Sequence, residues 1–313
     1  MALACALEWL RGPLMDIHGV IDMVASFFFK FQGVPVRVLP RESPSTIECL
    51  VELTHGWAVG DSAGNVSVYD FECEKLLSTY HMGYPVYTIA SYGADGCMCN
   101  ANSGFWVWNI LDPFYLWRYI YGPYNRSIVK LVSFSGGIAA SCSTFDENVH
   151  VYNVNHQRSF LHSLKGPGRV TDIARCEEDT LLSVHVTPLQ VAVLMWDARR
   201  GTHVRSIPLE FNHIHNVFVN QTTFMFIDPE SCVHAFDLGT KRDSIVARAD
   251  RFCVIPDNRI LTSNSASSFG VVDVTNAQAS DVQVTVWSNH FKVLYVRTGH
   301  VIVCHSNQVQ VWM

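Results

Sequence analysis

Charge is scarce in this sequence. Asp, Glu, Lys and Arg make up 16% of its 313 residues, against 49% hydrophobic residues. That balance excludes a disordered chain and suits a strand-rich core with part of its surface covered by partners. The charge present sums to −6, with an isoelectric point near 6.1. No global basic field exists to hold a phosphate backbone or an anionic membrane, so neither nucleic acid nor membrane is expected as a partner.

Other absences narrow the reading. No uninterrupted apolar run reaches the roughly 18 residues of a membrane span. The first residues lack a basic n-region, and Glu8, Asp16 and Asp22 argue against a mitochondrial presequence, so the expected location is cytoplasm or nucleus. The ten cysteines contain no C-x-x-C pair. They read as small buried hydrophobes in a reducing compartment, not as a disulfide framework or a zinc site; Cys97 and Cys99 share one strand face, a placement that chance also produces. There is no G-x-S-x-G elbow, no H-E-x-x-H, no glycine-rich phosphate loop and no repeated Asp-box, so no catalytic residue, enzyme activity or cofactor is expected. His213 and His215 can put two imidazoles on one strand face, but no third ligand accompanies them, and no metal is expected. Three glycosylation acceptor patterns, at Asn65, Asn125 and Asn220, read as chance without a secretion signal.

What the sequence does contain is a repeat. The stretch Val193 to Asp197 reads as a strand ending in Trp196 and Asp197. Similar endings occur at Tyr69-Asp70, Trp108-Asn109, Tyr152-Asn153 and Phe236-Asp237, with weaker ones at Val272-Asp273 and Trp312-Met313. Successive endings lie 36 to 44 residues apart, which marks a repeat architecture. Each repeat parses into four short strands; in the first they are Ile47 to Leu53, Trp57 to Gly60, Val66 to Asp70 and Leu76 to Tyr80, separated by His55-Gly56 and Ala63-Gly64-Asn65 turns. Such strands cannot bury their faces alone, so the units must stack around an axis. A lone strand at Val34 to Leu39 precedes the first repeat, whereas the last, Lys292 to Met313, supplies three strands. Joining the two ends completes the ring. The expected fold is an all-β, seven-bladed β-propeller over residues 34–313, closed by an N-terminal strand.

Residues 1–33 follow a different period. From Leu3, Leu7, Leu10 and Leu14 to Phe28 and Phe31, apolar residues recur in steps of four and three. This predicts a short amphipathic α-helical prefix, broken or kinked at Gly12-Pro13. Its apolar face either packs on the propeller or docks another protein.

These residues carry a resemblance to the WD-repeat β-propeller family. Trp196-Asp197 is the one true Trp-Asp pair, and the family's Gly-His pair is missing from its usual place, with only His81, His213 or His215, and His290 near it. The family's turn aspartate, six residues before the strand-ending aromatic, survives as Asp146, with Asn102 a partial substitute; Ala63, Gln190, Glu230, Ala266 and Ser306 stand elsewhere. These departures weaken the family's buried His-Ser-Trp-Asp network and leave its topology.

The resemblance implies binding of proteins or peptides on the face formed by loops that enter each innermost strand. Three of those loops place an arginine just before the strand: Arg126, Arg169 and Arg251. Guanidinium groups converging on one rim suit an acidic or phosphorylated peptide, whereas the plainer reading has them solvated or bonded to local carbonyls. Tyr84, His213 and His290 occupy comparable entrances. Tyr115, Trp117, Tyr119 and Tyr121 alternate along the outer strand of the second blade; they form either an exposed partner-binding patch or a face packed on a neighbour. Trp196-Asp197-Ala198-Arg199 matches the W-D-x-R pattern by which substrate receptors dock on a ligase adaptor, although an ordinary turn produces it too. Arg199-Arg200-Gly201 is similar to a lipid-binding motif but most simply makes a hairpin turn.

The expected function is a non-catalytic protein-interaction scaffold within a hetero-oligomeric assembly. A substrate receptor of a cullin-RING ubiquitin ligase is one version of it. A propeller hydrolase is the reading from another class, and it requires carboxylates or histidines meeting at a channel mouth.

Overall fold

A computed structural model of the chain describes residues 37–39, 45–71, 75–94, 96–101, 103–110, 118–123, 127–143, 146–156, 159–220, 222–255, 259–264, 268–274, 278–282, 291–295, 301–305 and 308–312. Strand formation follows the period-two pattern of the sequence. In Asn65–Tyr69, Val66 and Val68 are buried while Asn65 and Ser67 between them are half-exposed. Each strand therefore has an apolar side that must be covered.

The strands pair in sequence order into four-stranded antiparallel sheets, seven among the described residues. The first sheet joins Ile47–Leu53, Gly56–Asp61, Asn65–Tyr69 and Leu76–His81. The second joins Ile89–Tyr92, Gly96–Asn100, Gly104–Asn109 and Arg118–Tyr121. Lys130–Ser133, Ile138–Cys142, Asn148–Asn153 and Phe160–Lys165 form the third. The fourth contains Arg169–Arg175, Thr180–Val186, Val191–Asp197 and Thr202–Pro208, and the fifth His215–Asn220, Thr223–Ile227, Cys232–Asp237 and Asp243–Arg248. A sixth sheet runs from Arg251–Ile255 through Arg259–Asn264 and Ser268–Asp273 to Gln278–Val282. In the last, the early strand Arg37–Leu39 lies outermost, with Arg37 opposite Val311 and Leu39 opposite Val309.

The first strand of each sheet adjoins the first strands of its neighbours around a central axis. The core is consequently divided into wedges between successive sheets. Val66, Val68 and Tyr80 of the first sheet pack on Ile89, Cys97 and Trp108 of the second. Met98, Phe105 and Ile120 of the second meet Leu131, Ala139 and Tyr152 of the third. The same arrangement joins third to fourth and fourth to fifth. Outer strands add polar clasps. The Tyr80 hydroxyl donates to the Ile110 carbonyl at 3.2 Å, Arg118 to the Val154 carbonyl at 2.7 Å, and Arg205 to the Leu238 carbonyl at 2.7 Å. In each, a sheet grips the turn that follows the third strand of the next.

The fold class expected from sequence is corrected on two points. The blades whose two faces and packing are described number five, from Ile47 to Arg248, and not seven; the two remaining sheets are described by strand pairing and by a handful of side chains such as Leu39, Ile260, Val272 and Cys304. No α-helix occurs among the described residues, whose one helical element is a single 3-10 turn at Ser135–Gly137. The physical reason is that a forty-residue period counts strand endings and cannot say how the sheets pack. The amphipathic prefix at residues 1–33 lies outside the described residues.

Candidate functional site

The loops entering the inner strands share one face with the turns joining each second and third strand. Both sets are held by buried polar groups. In the first sheet Asp61 ends the second strand and is 2% exposed. Its carboxylate accepts the backbone N–H groups of Ala63 (3.0 Å) and Asn65 (2.8 Å) and the Ser45 hydroxyl (2.5 Å). Its backbone carbonyl accepts Val86 N–H at 3.0 Å. One residue thus ties its own turn, its own entrance loop and the next one. Asn100 takes the equivalent place in the second sheet. Its side-chain oxygen accepts Tyr87 and Thr88 N–H, and its NH2 donates to the Pro85 carbonyl.

Two tyrosines stand on the loop so fixed. Tyr84 is 49% exposed and Tyr87 42%. Gly64, at φ +90°, lies beneath Tyr84, where a Cβ would come within 2.7 Å of the Tyr84 carbonyl oxygen. The close approach demands glycine there. Aromatic groups on a pinned loop lose little freedom on contact, which is how rigid anchors raise affinity.

In the fourth sheet the buried network survives in altered form. Trp196 Nε1 donates to Ser183 Oγ at 2.8 Å, Ser183 contacts His185 Nε2 at 2.9 Å, and His185 Nδ1 lies 3.0 Å from the Gly168 carbonyl. The sense of the chain is fixed by donor counting: the tryptophan can only donate, so the serine hydroxyl donates onward and the histidine carries its proton on Nδ1. Burial holds the His185 pKa below the usual histidine range, consistent with a neutral ring. Gly168 directly precedes Arg169, which is exposed at the start of the inner strand. Trp196 therefore acts at a distance as a support for the Arg169 loop.

In the fifth sheet Asp228 does for its own turn what Asp61 does in the first. It accepts Glu230 and Cys232 N–H at 2.8 Å each and sits 3.1 Å from His234 Nε2, while His234 Nδ1 is 2.9 Å from Asp243. Phe211 packs on His234 at 5.0 Å and fixes the loop that carries His213. His213 stacks on His215 with ring centroids 6.0 Å apart. Burial, then the charges of His213 and Arg251, lower the His215 pKa, while a hydrogen bond to the Asp250 backbone and the Asp250 charge work the other way.

Of the residues singled out in the sequence, His213 stacks on His215, Arg251 is half-buried at the start of the sixth sheet's inner strand, and Arg169 and Tyr84 are exposed on other loops of the same face. Arg126, His290, Tyr115 and Trp117 lie outside the described residues. Tyr119 is half-buried between Trp106 (4.9 Å) and Tyr121 (4.6 Å), and Tyr121 is 78% exposed at the strand end. Trp196 is buried and Asp197 caps its hairpin by accepting Arg200 N–H at 2.9 Å. Arg199 bridges sheets: its Nε lies 2.7 Å from Asp179, and it donates to the Ser135 carbonyl at 3.0 Å.

Sequence reasoning missed the buried turn groups. It looked six residues before each ending, where Ala63 and Glu230 stand. The buried groups that hold the turns and loops lie eight before, at Asp61, Asn100 and Asp228. A search for Asp or Asn at any fixed offset would have found that column. Along the axis, Lys130 of the third sheet pairs with Asp172 of the fourth at 3.1 Å, and Val217 N–H approaches the other Asp172 oxygen at 3.4 Å. Cys97, Cys99, Cys142 and Cys232 are buried thiols, and burial raises the pKa of the first three. No helix among the described residues is long and apolar enough to cross a membrane.

Solved structures share this arrangement. The WD40 β-propeller domain of Doa1 superposes with a TM-score of 0.68 at 14% identity, covering 90% of this chain and 98% of that one. U3-55K gives a TM-score of 0.70 at 14% identity, over 89% and 98% of the two chains. The fold is that of a WD40 β-propeller. The WD40 repeats of RRP9 agree, with a TM-score of 0.69 at 14% identity and coverage of 89% and 97%. No protein-family model and no curated protein matches the propeller's sequence. At such identity the likeness concerns the fold, and the propeller's chemistry rests on its own side chains.

Proposed function

We propose that this propeller is a non-catalytic protein-interaction scaffold. It binds a protein or peptide partner on the face of the entrance loops and works as a subunit of a larger assembly in the cytoplasm or nucleus. The observation that carries this reading is the pinning of those loops: Asp61, Asn100 and His185 hold them with buried hydrogen bonds, while Tyr84, Tyr87 and Arg169 are exposed. Such an arrangement suits recognition. The axial pair of Lys130 and Asp172 favours it over a hydrolase, because both Asp172 oxygens already accept hydrogen bonds. The partner segment is acidic or phosphorylated where it meets Arg169 and Arg251.

Affinity purification with mass spectrometry tests the reading, comparing the native chain with one carrying Tyr84→Ala, Tyr87→Ala and Arg169→Ala. Partners recovered by the native chain should be lost from the variant and kept by a control altered on the outer strands, at Leu77 and Ile245. Recovery of the same partners by both variants in equal yield would show that this face does not bind them.

A further inference from the structure

The second sheet carries almost no charge. Between Lys75 and Arg126 the sequence holds three charged residues, Asp95, Asp112 and Arg118, and one histidine, His81. In sequence, Asp95 falls between the first and second strands and Asp112 between the third and fourth, in the connections at the end away from the entrance loops. Arg118 is turned to the third sheet, where it donates to the carbonyls of Val154 and His156. Among the described residues, tyrosines occupy the entrance end: Tyr84 and Tyr87 on the loop into the inner strand, Tyr119 and Tyr121 at the end of the outer one. Tyr87 N–H is held by Asn100 at the end of the second strand, Ala101 N–H reaches the Gly104 carbonyl at 2.8 Å across the following turn, and Gly104 lies opposite Tyr121. Tyr87 and Tyr121 therefore flank one turn at a common level. Neighbouring strands lie about 4.8 Å apart, so the first and fourth are roughly 14 Å apart.

Both flanks are fixed. On the loop, Met82 N–H donates to the Gly64 carbonyl at 2.7 Å and Val86 N–H to the Asp61 carbonyl at 3.0 Å. Thr88 N–H donates to the Asn100 side chain at 3.1 Å, and the Pro85 carbonyl accepts the Asn100 NH2 at 2.9 Å. On the outer side the Tyr119 ring lies on Gly104, where a Cβ would come within 3.0 Å of the ring hydroxyl and 2.1 Å of the Ile120 carbonyl oxygen. The Tyr119 hydroxyl is 3.3 Å from Ser103 Oγ, and edge contacts place its ring between Trp106 and Tyr121. Gly122 N–H closes this end by donating to the Ser103 carbonyl at 2.9 Å.

The second sheet thus offers an acidic segment no cation and a basic segment no carboxylate at this end. It suits a segment that is itself uncharged, apolar in its side chains and rich in backbone acceptors. A polyproline II helix has these properties: it makes no internal hydrogen bonds, so its carbonyls are bare, and its apolar rings pack on aromatic faces. It rises about 3.1 Å per residue, so about five residues would reach from Tyr87 to Tyr121. It also arrives already ordered, which keeps the entropic cost of docking on a fixed surface small.

We propose that Tyr84, Tyr87, Tyr119 and Tyr121 form a docking surface for a proline-rich segment of a protein partner in the polyproline II conformation. The surface rests on the scaffold reading above and identifies what the second sheet contributes to it, apart from the charged loop of Arg169. The rings supply the packing faces, and the tyrosine hydroxyls donate to the carbonyls of the segment.

The probe is a blocked decaproline peptide, titrated into the full chain labelled on its tyrosine rings, with signals assigned by Tyr84→Phe, Tyr87→Phe, Tyr119→Phe and Tyr121→Phe. Saturable shifts are expected at the Tyr84, Tyr87 and Tyr121 rings, with an affinity insensitive to salt because no charges are matched. Tyr87→Ala combined with Tyr121→Ala should weaken binding by about tenfold or more, whereas Tyr87→Phe with Tyr121→Phe keeps the rings and should cost about threefold. Both side chains are exposed, so these changes leave the core intact. A blocked glycine-serine peptide of the same length should leave the rings unmoved. The assignment is overturned by absence of shifts with decaproline, by equal shifts with the glycine-serine peptide, or by tighter binding of a blocked decaglutamate peptide at the same rings. Ring shifts on simple dilution of the chain would make a second copy the occupant and overturn it too. The titration needs no cellular partner, and the purification experiment also reads Arg169, so failure of the docking surface and failure of the scaffold reading are told apart.

Discussion

The smallest unit with a consequence is the serine between Trp196 and His185. Ser183 is fully buried, and its hydroxyl serves both rings. Ser183→Ala leaves an indole N–H and an imidazole nitrogen without that partner, and should destabilise the protein by about 1–3 kcal/mol. Urea denaturation followed by tryptophan fluorescence checks it. Titratable groups at this scale set the response to acid. Burial lowers the pKa of His150 and His185. The unfolded chain then binds protons first, so stability should fall as the pH drops below about 6.5, the unfolded histidine value. At Asp146 and Asp228 burial opposes ionisation, but hydrogen bonds, from Asn148 and His150 in one and from Cys232 and His234 in the other, outweigh it and hold both carboxyls below the usual range. Their contribution persists above about pH 4 and is lost as the pH falls further. Urea midpoints measured against pH should show two successive losses, and His185→Gln should shrink the upper one.

At the scale of strands and sheets, neighbouring blades are joined by apolar wedges and by the clasps of the outer strands. Arg205 is half-buried and reaches the Leu238 carbonyl, across from the fourth sheet to the fifth. Arg205→Met keeps much of the stem's packing and removes the charged donor. A loss of about 1–2 kcal/mol is expected, in the range for hydrogen bonds to charged groups. Hydrogen exchange should speed up most in the turn after Asp237 and little in the first sheet, since only adjoining blades share contacts. Equal acceleration in all sheets would contradict a local clasp. Arg199 belongs to the same scale. Its bonds to Asp179 and Ser135 hold the fourth sheet to the third, a job that a W-D-x-R pattern read along one strand does not reveal.

For the whole molecule, the early strand Arg37–Leu39 occupies the outer edge of a sheet whose other strands come from the end of the chain. A chain beginning after residue 39 would leave the edge of Gln308–Trp312 unpaired. An open edge pairs with whatever strand is at hand. The truncated protein should melt at a lower temperature and form concentration-dependent oligomers, seen by light scattering on a sizing column. A monomer of unchanged melting temperature would mean that the strand adds nothing to closure.

The repeat, the four-strand units, the turn positions and the pairing of the chain's two ends were legible in the amino-acid order, because alternation of apolar residues and the spacing of strand endings are local properties. The loops that enter the inner strands could be placed for the same reason. What those loops do was decided by tertiary structure. Asp61, Asn100 and Asp228 look like ordinary turn residues until their burial and their partners are known. Trp196 looks like a functional signature until its indole is found supporting, through Ser183 and His185, the loop of Arg169. Asn216 and Phe252 stand far apart in the chain and meet only because the fifth and sixth sheets are neighbours around the axis. Hydrogen bonds and charge depend on distance in space, which the period of a sequence does not contain.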